Sequence, residues 1–247
     1  MMKKRIKEFY ENASWLKEGI LYHRGKHSAT VKENTFKAIE EAIKDGLAIE
    51  IDVRLSKDNE VVLSHDNNLK RVFGIDKKVN ELSYEEIKEL TNGEVPRLKD
   101  VLELVDDKIG LMVEVKSGKI GLLEEKVVEL LNGYKGRYVV VCFNPRTLRY
   151  FRKKAPHIIR GQLSYSYKKS KRNFALKYIL SHMLFNFLSQ PHFISYGIDG
   201  YNKKIFEKYR KKGYFIIGWT YKDEKEKKSL KEVYDNMIME DLSIKEF

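Results

Sequence analysis

Cysteine is nearly absent from this 247-residue chain, with Cys142 the single one. One thiol excludes an internal disulfide framework and a thiolate metal site, and it fits a reducing compartment. Long apolar runs are missing too. No stretch approaches the ~18 consecutive apolar residues of a transmembrane helix. The amino-terminal MMKKRIKEFYENASWLKEG begins with bases, but acids and polar residues interrupt it before an apolar signal core can form, so no leader is expected. These shortages predict a cytoplasmic protein, free or peripherally bound to a membrane. No glycine-rich phosphate loop of the GxGxxG or GxxxxGKS type follows a strand-like run, which counts against a nucleotide-binding doubly wound sheet. Internal repeats and low-complexity linkers are also lacking, so a single domain over residues 1–247 is expected. Acids are the minority charge, 36 Asp and Glu against 48 Lys and Arg, for a formal net charge of +12. That balance favours anionic partners such as phosphates, nucleic acid or an anionic membrane surface, although a generally lysine-rich proteome gives the same sum. No motif of interleaved aromatics and phosphate contacts accompanies the charge, and no nucleic-acid partner is expected.

What the chain does contain is alternation. Strand patterns cover residues 19–25, 47–55, 61–64, 109–116, 138–143, 158–163, 192–196, 214–220 and 236–239. Helical patterns cover 36–44, a segment opened by the capping box Ser83-Tyr84-Glu85-Glu86 and running to Leu90, 99–105, 122–131, 146–154, 174–188, 203–212 and 224–234. Strand and helix alternate about eight times with short connections, which predicts parallel βα units. A hydrophobic fraction of 42% is enough for a substantial core. The expected fold class is α/β, a (β/α)8 TIM barrel.

Residues 48–66, AIEIDVRLSKDNEVVLSHD, are the chemically richest stretch. A strand of period two puts Glu50 and Asp52 on one face and Ile49, Ile51 and Val53 on the other. Two acids on one face repel and need a cation, a shared proton or full solvation. A hard divalent metal supplies the first, and His65 at the end of the next strand is placed for proton transfer. Alone, the stretch is equally a solvated edge strand followed by a surface histidine. The barrel adds context, because its active site lies at the C-terminal ends of the strands. The residues at those ends are His23 and Arg24, Glu50 and Asp52, His65, Glu114 and Lys116, and, late in the chain, Trp219.

In this order the residues resemble the glycerophosphodiester phosphodiesterase family. The matching pieces are His23-Arg24-Gly25, Glu33-Asn34-Thr35, Glu50-x-Asp52-Val53, Lys57-Asp58, His65-Asp66 with Arg71 just after, and Glu114-Val115-Lys116. Weaker matches are Gly213 followed by Trp219-Thr220, and the closing residues 235–241. In two places the chain departs from the pattern, with Val31-Lys32 before Glu33 and Glu240-Asp241 near the end. The resemblance implies a TIM barrel that uses a divalent cation to hydrolyse glycerophosphodiesters to glycerol 3-phosphate and an alcohol. Glu50, Asp52 and Glu114 resemble the family's metal-binding carboxylates, His23 and His65 its general acid/base pair, and Arg24 and Lys116 its phosphate-binding cations. All-oxygen ligation favours Ca²⁺ or Mg²⁺ over zinc. Trp219 is read as a wall of the substrate pocket, with core packing the alternative, and Lys116 as a phosphate ligand, with simple pairing to Glu114 the alternative. Glu33-Asn34-Thr35 reads as a helix entry that positions the first loop. His27, His157, His182 and His192 are read as structural or surface residues.

The same site would serve lysophospholipids, with lysophosphatidic acid as product. A third reading, a non-catalytic basic lipid-binding barrel, is disfavoured by the intact histidine pair and three acids. One segment lies outside this chemistry. Residues 168–172 are KKSKR and precede FALKYILSHMLFNFL, which is apolar over much of a helical circumference. Peripheral contact of 168–188 with an anionic membrane is one expectation, and an ordinary barrel helix or subunit contact the other.

Overall fold

The computed structural model describes residues 2–116 and 118–240 of the chain. Eight parallel strands alternate with helices, which is the expected (β/α)8 barrel fold, and one further strand is antiparallel. Two compact units divide it, residues 21–138 and residues 2–20 with 139–240. Helix α1 (Met2–Asn12), which was not among the sequence expectations, belongs to the latter. It buries Phe9 with its ring 5.5 Å from that of Phe193 and 5.1 Å from that of Phe215.

Residues 21–138 begin with β1 (Leu21–His23). The Thr35 side chain accepts a hydrogen bond from the Ala38 amide and so caps α2 (Phe36–Asp45), which ends at left-handed Gly46. Strands β2 (Ala48–Leu55) and β3 (Val61–Leu63) follow. The short α3 (Lys70–Phe73) precedes α4 (Tyr84–Leu90), whose start is the expected capping box of Ser83 and Glu86. Helix α5 (Leu98–Val105), β4 (Leu111–Val115) and α6 (Leu122–Gly133) complete the unit.

β2 is the middle of this unit and is no edge. β1 pairs in parallel with Ala48, Ile49 and Glu50, and antiparallel β3 takes over beside Val53, Arg54 and Leu55. β4 pairs in parallel with β2 from Ile49 to Val53 along the other edge. Ile49, Ile51 and Val53 are fully buried on one face, and Glu50 and Asp52 are 3% and 1% exposed on the other. The solvated-edge alternative for this strand is therefore excluded.

From residue 139 the strands β5 (Tyr138–Cys142), β6 (Arg160–Ser164), β7 (Phe193–Gly197), β8 (Ile216–Tyr221) and β9 (Asn236–Met239) pair successively in parallel. Their helices are α7 (Pro145–Lys154), α8 (Phe174–Ser181), α9 (Asn186–Ser189), α10 (Lys203–Arg210) and α11 (Glu224–Leu230). One expectation needs correction: residues 174–188 form two helices, not one. The Tyr196 hydroxyl donates to the Ser181 carbonyl (3.0 Å) and the Tyr209 hydroxyl to that of His182 (3.0 Å). These bonds satisfy carbonyls at the end of α8 without another helical turn, and Met183 then adopts a left-handed φ of 51°. Among the described residues no helix is long and apolar enough to cross a membrane.

Candidate functional site

The acids are brought together by strand register. β2 and β4 pair Asp52 with Glu114, and β1 and β2 pair His23 with Glu50. Paired residues of a parallel ladder share a face, and Glu50 shares that of Asp52 two positions on. One oxygen from each of Glu50, Asp52 and Glu114 lies within 4.8 Å of the others. Two cations sit among them. Lys116 Nζ is 2.6 Å from Asp52 Oδ1 and 2.7 Å from Glu114 Oε1, and Arg24 Nε is 3.3 Å from Asp52 Oδ2. Both alternatives for Lys116 thus begin from the same contact, since it does pair with Glu114.

Protons distribute unevenly over this cluster. Burial, followed by repulsion from Asp52 and Glu114, holds the Glu50 carboxyl well above its ordinary range. Burial likewise pushes Glu114 up to about 7, against the pull of Lys116. At Asp52 burial is outweighed by Lys116 and Arg24, and its carboxyl lies below the usual range. The Asp52 carboxylate is therefore compensated more fully than the other two. Glu50 Oε2 accepts from the Arg24 amide (3.2 Å), whereas Glu50 Oε1 is buried with no hydrogen-bond partner among the described residues. An orphaned carboxylate oxygen beside two more carboxylates fits a hard divalent cation, which takes oxygen ligands.

The loop after β1 delivers the first cation. Arg24 has a left-handed φ of 58° and Gly25 one of 79°. A Cβ on Gly25 would stand 2.9 Å from that of Ala38, so the backbone can pass α2 this closely only as glycine. Burial would lower the Arg24 pKa, but Asp52, Glu33 and Glu50 raise it. His23 Nε2 lies 3.9 Å from Glu50 Oε2. His65 follows β3, and its carbonyl accepts from Arg54 Nε (3.0 Å) and Nη2 (2.7 Å). Its Nδ1 is 2.7 Å from Asp66 Oδ1, which directs Nε2 to any ligand. Burial and the nearby Lys116 lower the His65 pKa, which favours the neutral ring.

Glu33, Asn34, Asp66 and Arg71 do more than the sequence indicated. Asn34 Nδ2 donates to Asp52 Oδ2 (2.8 Å), and its Oδ1 accepts from the Asp52 amide (3.1 Å), so one side chain holds both the carboxylate and the backbone of Asp52. Glu33 Oε1 bonds Arg24 Nη1 at 2.9 Å. Arg71 donates to both oxygens of Glu33 (2.7 and 2.8 Å) and, through Nε, to Asp66 Oδ2 (2.6 Å). A continuous chain of polar contacts, Arg24–Glu33–Arg71–Asp66–His65, thus ties the β1 loop to the β3 loop. Each member stood in a matched motif, but only the fold shows which residue it holds. Thr35 keeps the helix-entry role expected of it.

Trp219 lies on β8, in the other unit. Its ring meets Phe143 edge-on at 5.6 Å and Tyr165 at 6.2 Å, and its indole Nε1 is buried with no hydrogen-bond partner among the described residues. Among the described residues, the remaining histidines carry no comparable cluster of acids in their own units. His27 is buried and His157 exposed. His182 stacks on Tyr178 at 3.9 Å. His192 accepts from the Arg160 amide at 3.1 Å, and burial with the Arg160 charge lowers its pKa to about 3. The closing match ends on Asp241, which lies outside the described residues.

Comparisons with known proteins point one way. The model of the glycerophosphoryl diester phosphodiesterase family matches residues 23–241. A glycerophosphodiester phosphodiesterase of Caldanaerobacter subterraneus is 35% identical over 164 residues, covering 60% of this chain and 67% of that protein. The crystal structure of a glycerophosphodiester phosphodiesterase from Thermotoga maritima superposes with a TM-score of 0.74 at 29% identity, over 91% of this chain and 95% of that one. An Oleispira antarctica phosphodiesterase, solved with the product sn-glycerol-3-phosphate, shares the fold with a TM-score of 0.76 at 21% identity, over 91% and 93% of the two chains.

Proposed function

The chain belongs to the glycerophosphoryl diester phosphodiesterase family, and from that premise we propose that it cleaves glycerophosphodiesters to glycerol 3-phosphate and an alcohol with one divalent cation, Ca²⁺ or Mg²⁺. It is thereby a phosphoric diester hydrolase. The observation that carries the metal is the buried trio Glu50, Asp52 and Glu114, with Glu50 Oε1 left without a partner among the described residues. These three would hold the ion, all through oxygen, which suits Ca²⁺ or Mg²⁺. When bound, such an ion supplies positive charge that stabilises the phosphoryl oxygens as the diester is attacked.

The chain's own groups do the rest. Arg24 offers a two-oxygen fork and Lys116 a point charge to the non-bridging oxygens. Carboxylates already hold both cations, Glu33 and Asp52 for Arg24, Asp52 and Glu114 for Lys116, so their charge is aimed before substrate arrives. His65 accepts the proton of the nucleophile, water or the neighbouring glycerol hydroxyl, through Nε2 while Asp66 holds Nδ1. His23 donates a proton to the leaving alkoxide as its bond to phosphorus breaks. Trp219 is kept as a proposed substrate contact on its motif match, Gly213 followed by Trp219-Thr220.

A substrate panel tests this reading. Glycerophosphocholine, glycerophosphoethanolamine, glycerophosphoglycerol and lysophosphatidylcholine are each incubated with the protein and Ca²⁺, Mg²⁺ or chelator. Metal-dependent release of glycerol 3-phosphate from the first three is expected. Lysophosphatidic acid released from the fourth alone would move the substrate class to lysophospholipids. Absence of any product with either metal would contradict the proposal.

A further inference from the structure

We propose that residues 168–188, together with the exposed basic face of α7, form a docking surface for an anionic lipid bilayer. This inference does not depend on the catalytic reading. Nine large apolar side chains are exposed among the described residues, and the two most exposed, Phe174 (83%) and Phe187 (65%), lie here with Tyr178 and Leu184. Phe174 and Tyr178 are four residues apart on α8 and share one face of it. A soluble monomer seldom displays aromatics so densely without using them.

Their exposure does not come from a loose backbone. Tyr196 and Tyr209 clamp the carbonyls of Ser181 and His182 where α8 ends, and α9 packs against α7. A groove of about 370 Å³ opens beside α9, where Leu184 and Phe187 meet the cations Arg5, Lys208 and Lys212. Apolar side chains and cations lining one groove suit an acidic lipid headgroup with acyl chain behind it.

Charge selects the partner. From residue 130 to residue 198 the chain carries thirteen Lys and Arg and no Asp or Glu, so the whole net charge of +12 is concentrated there. The excess is therefore regional, which a uniformly lysine-rich composition does not explain. Lys168, Lys169, Lys171 and Arg172 stand exposed just before α8. On α7, Arg146, Arg149 and Lys153 are exposed at positions i, i+3 and i+7, one face of that helix. Clustered cations beside solvent-facing aromatic and aliphatic side chains are what an interface of anionic lipid attracts and then accommodates.

Sedimentation of the full chain with vesicles tests this, using phosphatidylcholine alone and phosphatidylcholine mixed with phosphatidylglycerol, at low and high salt. Binding to the anionic vesicles, weakened by salt and absent from the neutral ones, is expected. Phe174→Ser with Phe187→Ser, and separately Lys168→Glu with Lys169→Glu and Lys171→Glu, should each lower partitioning about tenfold or more. Thermal unfolding read on each variant shows that it is folded, and either one suffices. Three results would overturn the proposal: no binding to anionic vesicles, equal binding to neutral ones, or full binding by both folded variants. Capture of single-stranded RNA, or self-association through the same residues, in place of vesicle binding would overturn it too.

Discussion

Lys116 and Lys168 carry the same charge in opposite settings. The Lys116 side chain is 9% exposed, with Asp52 at 2.6 Å and Glu114 at 2.7 Å. Lys168 is exposed on a stretch that has no acid for dozens of residues on either side. In the first region, charges are buried, opposed and held to fixed partners, so each one matters by its position. In the second, they are solvated, of one sign and screened within about 8–10 Å at physiological salt, so they act together as a field. Chemistry on one phosphoryl group suits the first arrangement and attraction to a charged surface the second.

The sharpest way to test the buried side is to neutralise two neighbouring carboxylates of the proposed metal site that should respond in opposite ways. Asp52 has its carboxyl below the usual range, so its charge stabilises the fold. Asp52→Asn leaves Lys116 and Arg24 buried with less compensation, and unfolding by urea in chelator should show a loss of about 3–5 kcal/mol. Glu50 has its carboxyl raised, so ionising it at neutral pH costs stability. Glu50→Gln removes that cost, and the metal-free variant should unfold no more easily than the parent. Both should lose turnover by about a thousandfold or more, since each removes a proposed metal ligand. Stability changes of the same sign in the two variants would break the account of the buried region.

Next in size, His65→Ala should lower turnover by about 10²–10⁴-fold while a calorimetric titration still finds the metal. Turnover within a few-fold of the parent would reject its role in proton transfer. Arg71→Ala should have a smaller effect, about tenfold on kcat/KM, because Arg71 acts only by tying Glu33 to Asp66. A rate unchanged by Arg71→Ala would mean that Arg24 and His65 hold their places without the tether. The smallest effect belongs to the exposed region. Lys168→Glu with Lys169→Glu should leave turnover of a water-soluble substrate unchanged and shift Tm by no more than about 1 °C. A large loss in either would show that the two regions are not as different as Lys116 and Lys168 indicate.

The buried region was legible because its logic is local. Glu50-x-Asp52 and Glu114-x-Lys116 sit at the two-residue period of a strand, and Ser83 through Glu86 spell their own cap. Other contacts join residues far apart in sequence and leave no spacing to read. Arg71 meets Glu33 across 38 positions, and the end of α8 is fixed by hydroxyls of Tyr196 and Tyr209. The burial of β2 on both edges likewise follows from its three partners, so alternation alone left open whether its acids faced solvent. Trp219 could be placed on a strand from its pattern, yet the burial of its Nε1 without a partner among the described residues is a property of packing.

The most direct measurement is calorimetric titration of the chelated protein with Ca²⁺ and Mg²⁺ across pH, with release of glycerol 3-phosphate followed in the same samples. Glu114, with its carboxyl raised to about 7, must give up its proton to become a ligand. The expected result is one ion per chain, affinity that falls as the pH is lowered through about 7, and turnover that disappears and returns with the ion. Full turnover in the presence of chelator, or no binding of either ion at any pH, would contradict the claim that Glu50, Asp52 and Glu114 form the metal centre.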